Sequence, residues 1–429
     1  MKRLIILVLV VSVILGVLFW KYGASLLKKE DQKPIQVNLT YWDLEDNEVI
    51  FKSVIESFEK SHPNTKIAYV KQSSINYRTR VQTQIRASQG PDIFTLHSSW
   101  VPMFLVDLYP APASLMSVND FNNTFYPLAK DTLIMQNKIY ATPKEVDGLV
   151  MFYNEDILKA AGVSVPKTWQ EFVSFAAKVT VKNQQGQIQT AGAALGTTGN
   201  IDFWPEILGL LFLQQPGASL MTPNSQDAAE VLQFYTSFVL DPKNKTWDTT
   251  LPTSTQMFKD GRLAFYFAPA SEARDIRQAN LNLPFKTALV PQLPGKNISY
   301  GGFWAQGVSI KSQNPTQAWE FLNYLNSPQA LQFIYDQKAQ TGFFGKPYPR
   351  VDMASLLSQD EVMGTAILQA PTFKGWFLNS GIPDNGLNDE IISLYQGAIN
   401  DVLGGRLPTE VLQTITPKIQ PIFDKYKAK

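Results

Sequence analysis

The sequence predicts an α/β protein built from two lobes. With 429 residues, the chain exceeds the size at which a single hydrophobic core stops growing, about 250–300 residues. Beyond residue 34, segments with the alternating apolar pattern of strands are interleaved with segments that have the 3.6-residue period of helices. This interleaving is typical of parallel strands that are covered by helices.

The first third of the chain shows the alternation most clearly. A strand at 35–41 is followed by an amphipathic helix at 48–60, a strand at 66–70, a helix at 77–88 and a strand at 91–96. Ligands in such layers bind beyond the carboxyl ends of the parallel strands. We therefore expect functional residues directly after the first and the third of these strands.

The middle of the chain repeats the mixture of strands and helices. Thr168 is a predicted helix N-cap, and Glu171 stands three residues later, where it completes a capping box. The further predicted elements are strands at 149–153, 265–267 and 288–290, and helices at 154–161, 168–179, 227–240 and 315–325.

Composition excludes several classes of function. The formal net charge is +1 and no long run of like charge occurs, so a nucleic-acid partner is not expected. Cysteine is absent, which excludes thiol nucleophiles, disulfides, thiolate metal sites and a lipid-modified cysteine. His62 and His97 are the only histidines, which excludes a histidine-rich metal centre. We predict no metal site, no cofactor and no catalytic residue.

The N-terminal segment, residues 1–20, is predicted to be a transmembrane anchor or signal segment. Lys2 and Arg3 precede the apolar run 4–20, which is longer than the apolar core of most signal peptides and lacks a good cleavage site. We expect an uncleaved anchor, with a cleaved signal peptide as the alternative. The polar residues 21–34 would then be a tether that holds the soluble body outside the cytoplasmic membrane.

Several short sequence strings, each of low specificity on its own, occur in a characteristic order over roughly residues 35–407. They are Thr40-Tyr41-Trp42, Phe58-Glu59-Lys60 with His62-Pro63, Gly90-Pro91-Asp92-Ile93-Phe94, Pro143 with Tyr153-Asn154, Ala161-Gly162-Val163, Pro166-Lys167-Thr168-Trp169-Gln170-Glu171-Phe172, Phe258-Lys259-Asp260-Gly261-Arg262-Leu263-Ala264, Pro291-Gln292-Leu293-Pro294-Gly295, Gly301-Gly302 and Ala318-Trp319-Glu320-Phe321-Leu322. In order and spacing they resemble the bacterial extracellular solute-binding proteins of the family that contains the maltose-binding proteins.

The resemblance implies a type II periplasmic-binding-protein-like fold, in which three crossings of the chain between the lobes form a hinge. Each lobe is then assembled from discontinuous parts of the chain. The implied first lobe comprises 35–143 and 301–340, the second lobe 149–297 and 348–429, and the hinge crossings 144–148, 298–300 and 341–347.

Aromatic and polar residues after the predicted strands are candidates for binding a sugar. Aromatic faces cover the C–H groups of a sugar ring, while carboxylates and amides bind its hydroxyl groups through strong, charge-assisted hydrogen bonds. Trp42 and Asp43 follow the first strand, and Ser99 and Trp100 follow the third. Packing of the two tryptophans into the core is the alternative, and His97 is expected to be a structural polar residue.

The predicted hinge supplies a second group of candidates. The resemblance implies that Asp147, in the first crossing, occupies the position of a sugar-binding carboxylate, and Glu145 is its neighbour. The alternative for Glu145 is a solvated hinge charge. Gly302 allows the backbone to approach a ligand closely, and Phe303 and Trp304 follow it.

Two further tryptophans are candidates on loops of the second lobe. Trp204 opens a predicted helix, and Trp376 lies in a later loop; a structural role is the alternative for both. Trp169, Trp247 and Trp319 are assigned to packing.

The predicted function is capture of a small-molecule solute, a mono- or oligosaccharide, by a monomeric extracytoplasmic protein. The resemblance implies ABC permease subunits as membrane partners. A membrane-anchored carbohydrate hydrolase and a sensor or adhesion module remain alternatives. Within the binding class, non-sugar solutes such as polyamines, peptides or phosphorylated polyols also remain open.

Overall fold

The computed structural model of the chain describes residues 2–23, 36–44, 46–340 and 346–426. A helix at Lys2–Leu18 and a π-helical turn at Phe19–Gly23 occupy the predicted anchor. No helix within the described ranges combines the length and the apolar character that crossing a membrane requires. Most of the predicted tether, residues 24–34, lies outside the described residues.

The strands are numbered in chain order. They are β1 Val37–Asp43, β2 Thr65–Lys71, β3 Ile93–His97, β4 Leu108–Tyr109, β5 Ile134–Met135, β6 Lys138–Ile139, β7 Ala141–Pro143, β8 Asp147–Asn154, β9 Val181–Lys182, β10 Ile188–Ala193, β11 Leu263–Pro269, β12 Phe285–Ala288, β13 Ser299–Gly302, β14 Trp304–Ser309 and β15 Phe373–Lys374.

The helices are numbered in the same way. They are α1 Lys2–Leu18, α2 Glu48–Ser61, α3 Tyr77–Arg86, α4 Val101–Phe104, α5 Val118–Thr124, α6 Pro127–Leu133, α7 Glu155–Ala161, α8 Trp169–Val179, α9 Trp204–Gln214, α10 Gln226–Leu240, α11 Ser254–Lys259, α12 Ala273–Ala279, α13 Pro315–Leu325, α14 Pro328–Gln340, α15 Met363–Gln369, α16 Leu387–Leu403 and α17 Pro408–Tyr426.

The first lobe is organised around a sheet with the strand order β2-β1-β3-β14-β4, and β7 pairs with β14. As the alternation of strands and helices predicts, β1 runs parallel to both β2 and β3. Leu39 and Tyr41 point from β1 into the core and are fully buried, and α2 covers this face with its apolar side. Strand β14, from much later in the chain, inserts antiparallel to β3.

The second lobe has its own sheet, with the order β15-β13-β8-β11-β10-β9, and β12 pairs with β8. β8 is almost entirely buried because it has neighbours on both sides and helices on its faces. The predicted capping box is present at the start of α8, where Thr168 Oγ1 accepts from Glu171 N and the Glu171 carboxylate accepts from Thr168 N. This lobe and the first form the two-lobed α/β architecture that the sequence predicts.

The crossings between the sheets differ in detail from the predicted hinge. The first runs from β7 to β8 across residues 144–146. The second is confined to Phe303, because β13, which includes the predicted crossing residues 299–300, pairs with β8 and β15 in the second sheet. Residues 341–345 of the third predicted crossing lie outside the described residues.

The segment that follows the third predicted crossing packs on the first lobe, whereas the resemblance assigned it to the second. Tyr348 was expected to begin the second lobe, yet its ring lies 5.2 Å from that of Tyr335 on α14 of the first. Met353 and Leu357 bury their side chains in the same small cluster with Leu331. Residues 348–357 therefore cover a helix of the first lobe, because α14 has an apolar face that the main core does not reach.

Candidate functional site

A cleft of about 330 Å³ lies where the two sheets meet. Its wall on the first lobe includes His97 at the end of β3 and Trp304 at the start of β14. Glu145 of the first crossing lies between the lobes. The wall on the second lobe includes Asp147, Phe203, Glu206, Pro269, Ser271, Glu272, Tyr300 and residues 379–382.

The floor of the cleft requires residues without side chains. A Cβ on Gly148 of β8 would lie 2.5 Å from the carbonyl oxygen of Tyr300 on the neighbouring strand. A Cβ on Gly302 would lie 2.9 Å from Asn379 Oδ1 and 3.2 Å from His97 Nε2. Glycine at 148 therefore lets β8 pack closely against β13 within the second lobe. Glycine at 302 leaves polar atoms of both lobes around its backbone.

Trp304 presents an oriented aromatic ring at the cleft. It contacts Trp100 edge-to-face at a centroid distance of 5.3 Å, and it contacts His97 in the same way at 5.4 Å. Trp100 itself is only 2% exposed, so it supports Trp304 from beneath and does not line the cleft. Edge-to-face contacts are favourable for aromatic rings and hold Trp304 in place before any ligand arrives.

His97 combines a structural bond with a position at the cleft. Its Nδ1 accepts a hydrogen bond from the backbone N–H of Ser99 at 3.2 Å and lies 2.8 Å from Ser99 Oγ. In the neutral ring the proton then lies on Nε2, the atom that faces Gly302. The expectation that His97 is a structural residue is therefore incomplete, because its second nitrogen lines the site.

Asp147 and Glu206 bring buried carboxyl groups to the second-lobe wall. Asp147 Oδ1 accepts from the backbone N–H groups of Gly148 (2.8 Å) and Ala270 (3.0 Å), and burial raises the pKa of its carboxyl. Glu206, in the first turn of α9, accepts from Ser380 N at 2.5 Å and from Ser380 Oγ at 2.9 Å. Burial raises the pKa of Glu206 to about 7.

Glu272 adds a third carboxyl group to this wall. Burial and the neighbouring carboxylate of Asp275 raise its pKa to about 7. A carboxyl group with a pKa of about 7 is partly protonated near neutral pH, and the protonated form both donates and accepts hydrogen bonds. The wall is therefore suited to a ligand that is rich in hydroxyl groups.

Glu145 joins the crossings to each other. Its Oε1 accepts from the backbone N–H of Trp304 at 3.2 Å and lies 3.3 Å from Lys346 Nζ. Phe303 of the second crossing is held to the first lobe, because its N–H donates to Ser98 Oγ and its carbonyl accepts from Ser98 N. Glu145 is 3% exposed, so it is a paired hinge residue at the cleft and not a solvated charge.

Asp43 is used for a different purpose from the predicted one. It is fully buried, and both of its carboxylate oxygens lie 2.8 Å from Lys144 Nζ. Lys144 also approaches Asp46 at 3.5 Å, and Lys338 approaches Asp46 at 2.8 Å. Burial would raise the pKa of Asp46, but Lys338 and Lys144 together lower it to about 2. This ion cluster fastens the first crossing to the first lobe.

The sequence-predicted residues fall into two sets. Among the described residues, the cleft lining includes the predicted Glu145, Asp147, Gly302, Phe303 and Trp304. The lining does not include the predicted Trp42, Asp43, Ser99, Trp100, Trp204 and Trp376.

The tryptophans of the second set lie in packing positions. Trp42 is half-buried in β1, between β2 and β3. Trp204 is 5% exposed at the start of α9, and Trp376 packs against Phe423 with a centroid distance of 5.9 Å. Trp169, Trp247 and Trp319, which the sequence assigns to packing, are all buried; Trp247 is fully so.

Sequence reasoning did not propose Phe203, Glu206, Glu272 or residues 379–382. Phe203 and Glu206 directly follow the glycine-containing loop 196–200 at a helix start, which was a usable signal. Residues 379–382 reach the cleft only through folding of a distant part of the chain, and no local pattern marks them.

Comparison with known proteins assigns the chain to a family. The sequence profile of the bacterial extracellular solute-binding proteins matches residues 53–344, which is more than half of the chain. The chain belongs to the bacterial extracellular solute-binding protein family. Among similar members, the galactooligosaccharide-binding protein of Bacillus subtilis is 20% identical over 307 residues, which are 70% of this chain and 71% of that protein.

Solved structures of binding proteins share the fold. The cyclic alpha-maltosyl-1,6-maltose binding protein from Arthrobacter globiformis aligns with a TM-score of 0.73 and 16% identity over 91% of this chain and 100% of that one. A cyclo/maltodextrin-binding protein complexed with maltotetraose aligns with a TM-score of 0.69 and 18% identity over 92% and 98%. The predicted two-lobed solute-binding-protein fold is confirmed.

Proposed function

We propose that this solute-binding protein captures a carbohydrate in the cleft between its lobes and delivers it to an ABC-type permease. The observation that carries the proposal is the arrangement of Trp304 opposite Asp147, Glu206 and Glu272 across one cleft. The indole face would cover a sugar ring, and the carboxyl groups would bind hydroxyl groups at its edge. The cleft volume lies within the range of about 300–1,000 Å³ that is usual for ligand sites.

The names of similar proteins support the same solute class. The Bacillus subtilis relative is a galactooligosaccharide-binding protein, and a Streptococcus pneumoniae relative, 25% identical over 217 residues, is a maltooligosaccharide ABC transporter solute-binding lipoprotein. A solute that touches both walls favours closed lobes, because only the closed state makes every contact. We infer that the protein releases its solute unchanged.

Titration with mono- and oligosaccharides, followed by tryptophan fluorescence and calorimetry, tests the proposal. Trp304→Ala is expected to weaken binding at least tenfold, about 1.4 kcal/mol, because it removes the stacking face. Trp319→Phe is the matched control, since Trp319 is buried in the first lobe outside the cleft lining. The sugar assignment fails if no saccharide binds; product formation from a bound oligosaccharide would favour the hydrolase alternative.

We also propose that α1 holds the protein at the outer face of the cytoplasmic membrane, with signal cleavage as the alternative. The support is the apolar run 4–20 after Lys2 and Arg3. Fractionation of cells that express the full chain should place it with the membrane, and N-terminal sequencing should find residues 1–20 retained. A mature protein that starts beyond residue 20 would contradict the anchor.

A further inference from the structure

A direct contact joins the two lobes outside the residues that line the cleft. Arg78, on α3 of the first lobe, donates from Nε to the carbonyl oxygen of Asp384 at 2.6 Å. It also donates from Nη2 to the carbonyl oxygen of Asn385 at 2.9 Å. Both acceptors belong to the turn before α16 of the second lobe. Arg78 is only 9% exposed, so these bonds are shielded from water.

The turn that receives Arg78 is shaped in advance by one carboxylate. Asp384 is fully buried and accepts from the backbone N–H groups of Gly386 (2.7 Å), Asn388 (3.0 Å) and Asp389 (3.2 Å). These bonds close the turn, and the carbonyl groups of residues 384 and 385 are left for the guanidinium. A planar guanidinium with several donors suits two adjacent carbonyl oxygens.

Two asparagines with strained backbones reinforce the contact. Asn76, at the start of α3, has a φ of 51°, and Asn385 has a φ of 47°. Asn385 Nδ2 donates to Asn76 Oδ1 across the lobes at 3.0 Å. Left-handed backbone at residues other than glycine is uncommon and often marks functional sites. Of the five such residues in the described part of the chain, Asn76 and Asn385 are hydrogen-bonded to each other at this inter-lobe contact.

The first-lobe side of the contact is also braced. Arg78 Nη1 donates to Gln82 Oε1 at 2.9 Å, and Gln82 Nε2 donates to Asp107 Oδ2 at 2.7 Å. Arg78 is therefore already oriented toward the second lobe by its own helix. Met103 of the same lobe lies against Gly386, where an added Cβ would come within 2.7 Å of its sulfur.

The contact is rigidly connected to the cleft. Asn379, which lines the cleft, donates from its backbone N–H to Asn388 Oδ1 at 2.9 Å. Asn388 Nδ2 donates back to the carbonyl oxygen of Asn379 at 2.9 Å. These two bonds link the cleft segment 379–382 to the turn bound by Arg78. A solute that draws residues 379–382 toward the first lobe also brings the turn to Arg78.

We propose that Arg78 is a positioning residue that determines solute affinity by latching the closed lobes, without lining the solute site. Separation of the lobes breaks both of its inter-lobe bonds, so the latch opposes opening and slows solute release. The effect on solute affinity rests on the proposed solute capture, whereas the effect on lobe closure does not. The apparent dissociation constant scales inversely with the closed fraction. Loss of the latch is therefore expected to weaken binding about 10–100-fold.

Arg78→Gln tests the latch, and Arg262→Gln is the matched control. Arg262 also donates to a backbone carbonyl oxygen, that of Gln189 at 3.0 Å, but it does so within its own lobe. Stopped-flow displacement of a bound saccharide should show faster release for Arg78→Gln, with the association rate constant unchanged. Asn76→Gly, which suits the left-handed backbone, should shift release in the same direction by a smaller factor. Equal release rates for Arg78→Gln and wild type would overturn the proposal.

A distance measurement separates the latch from the solute assignment. The chain has no cysteine, so Lys60→Cys in the first lobe and Lys178→Cys in the second can carry spin labels. In the solute-free protein, Arg78→Gln should increase the population with the longer inter-lobe distance, and Arg262→Gln should not. An unchanged distribution overturns the latch. Failure of every saccharide to bind overturns the carbohydrate assignment, while this distribution still decides the latch.

Discussion

The buried carboxyl group of Glu206 predicts a specific dependence of stability on pH. Glu206 is 7% exposed, and burial raises its pKa from 4.5 to about 7, although hydrogen bonds from Ser380 act in the opposite direction. The folded state therefore prefers the neutral carboxyl group. Its contribution to stability is fully present below pH 4.5 and is lost as the pH rises through about 7.

The size of the effect follows from the shift. One pKa unit corresponds to about 1.4 kcal/mol, so a rise from 4.5 to about 7 amounts to about 3 kcal/mol between acidic and alkaline solution. Glu206→Gln keeps the size of the side chain and an acceptor for Ser380 but cannot ionise. We expect the difference in free energy of unfolding between the variant and wild type to shift by about 3 kcal/mol in favour of the variant as the pH rises from about 4 to about 8.5.

Urea denaturation of wild type and Glu206→Gln at several pH values measures this gain. The new amide group can change the free energy of unfolding by the same amount at every pH. Such a constant change does not affect the test, because the prediction concerns how the difference between the two proteins varies with pH. Glu272 has a similarly raised pKa, but it is present in both proteins and cancels. Glu230→Gln, on the exposed side of α10, is the control and should run parallel to wild type. If the curve for Glu206→Gln also runs parallel to wild type, burial of Glu206 does not cause the dependence on pH.

Two other substitutions test the hinge. Lys144→Met should lower the free energy of unfolding by about 3–5 kcal/mol, because Asp43 would keep a buried charge without its ammonium partner. Urea denaturation measures this loss, and a loss below about 1 kcal/mol would contradict the prediction. Gly148→Ala should lower the melting temperature and weaken solute binding, because its Cβ would lie 2.5 Å from the Tyr300 carbonyl oxygen and force β8 from β13. Gly199→Ala, which meets nothing within 4 Å, should change neither.

Local features of the fold were accessible from sequence. The period of apolar residues predicted β1, α2 and β2 to within a few residues, because each element buries one face and must repeat with its own geometry. The capping box of Thr168 and Glu171 was predictable for the same reason, since its partners stand three residues apart. The resemblance predicted the two-lobed arrangement and proposed Asp147 and Trp304 as cleft residues; both are in the cleft lining.

The division of roles among similar residues was decided only by the tertiary structure. Asp43 and Asp147 are both aspartates at strand ends, yet Asp43 is neutralised by Lys144, 101 residues away, while Asp147 is held by backbone N–H groups at the cleft. His97 and Asn379 meet over Gly302 from opposite lobes. The sequence alone placed the elements with a clear apolar period to within a few residues, because that period depends on neighbours along the chain. The strand predicted at 288–290 instead spans Phe285–Ala288. Which side chains face the solute depends on partners that only folding brings together.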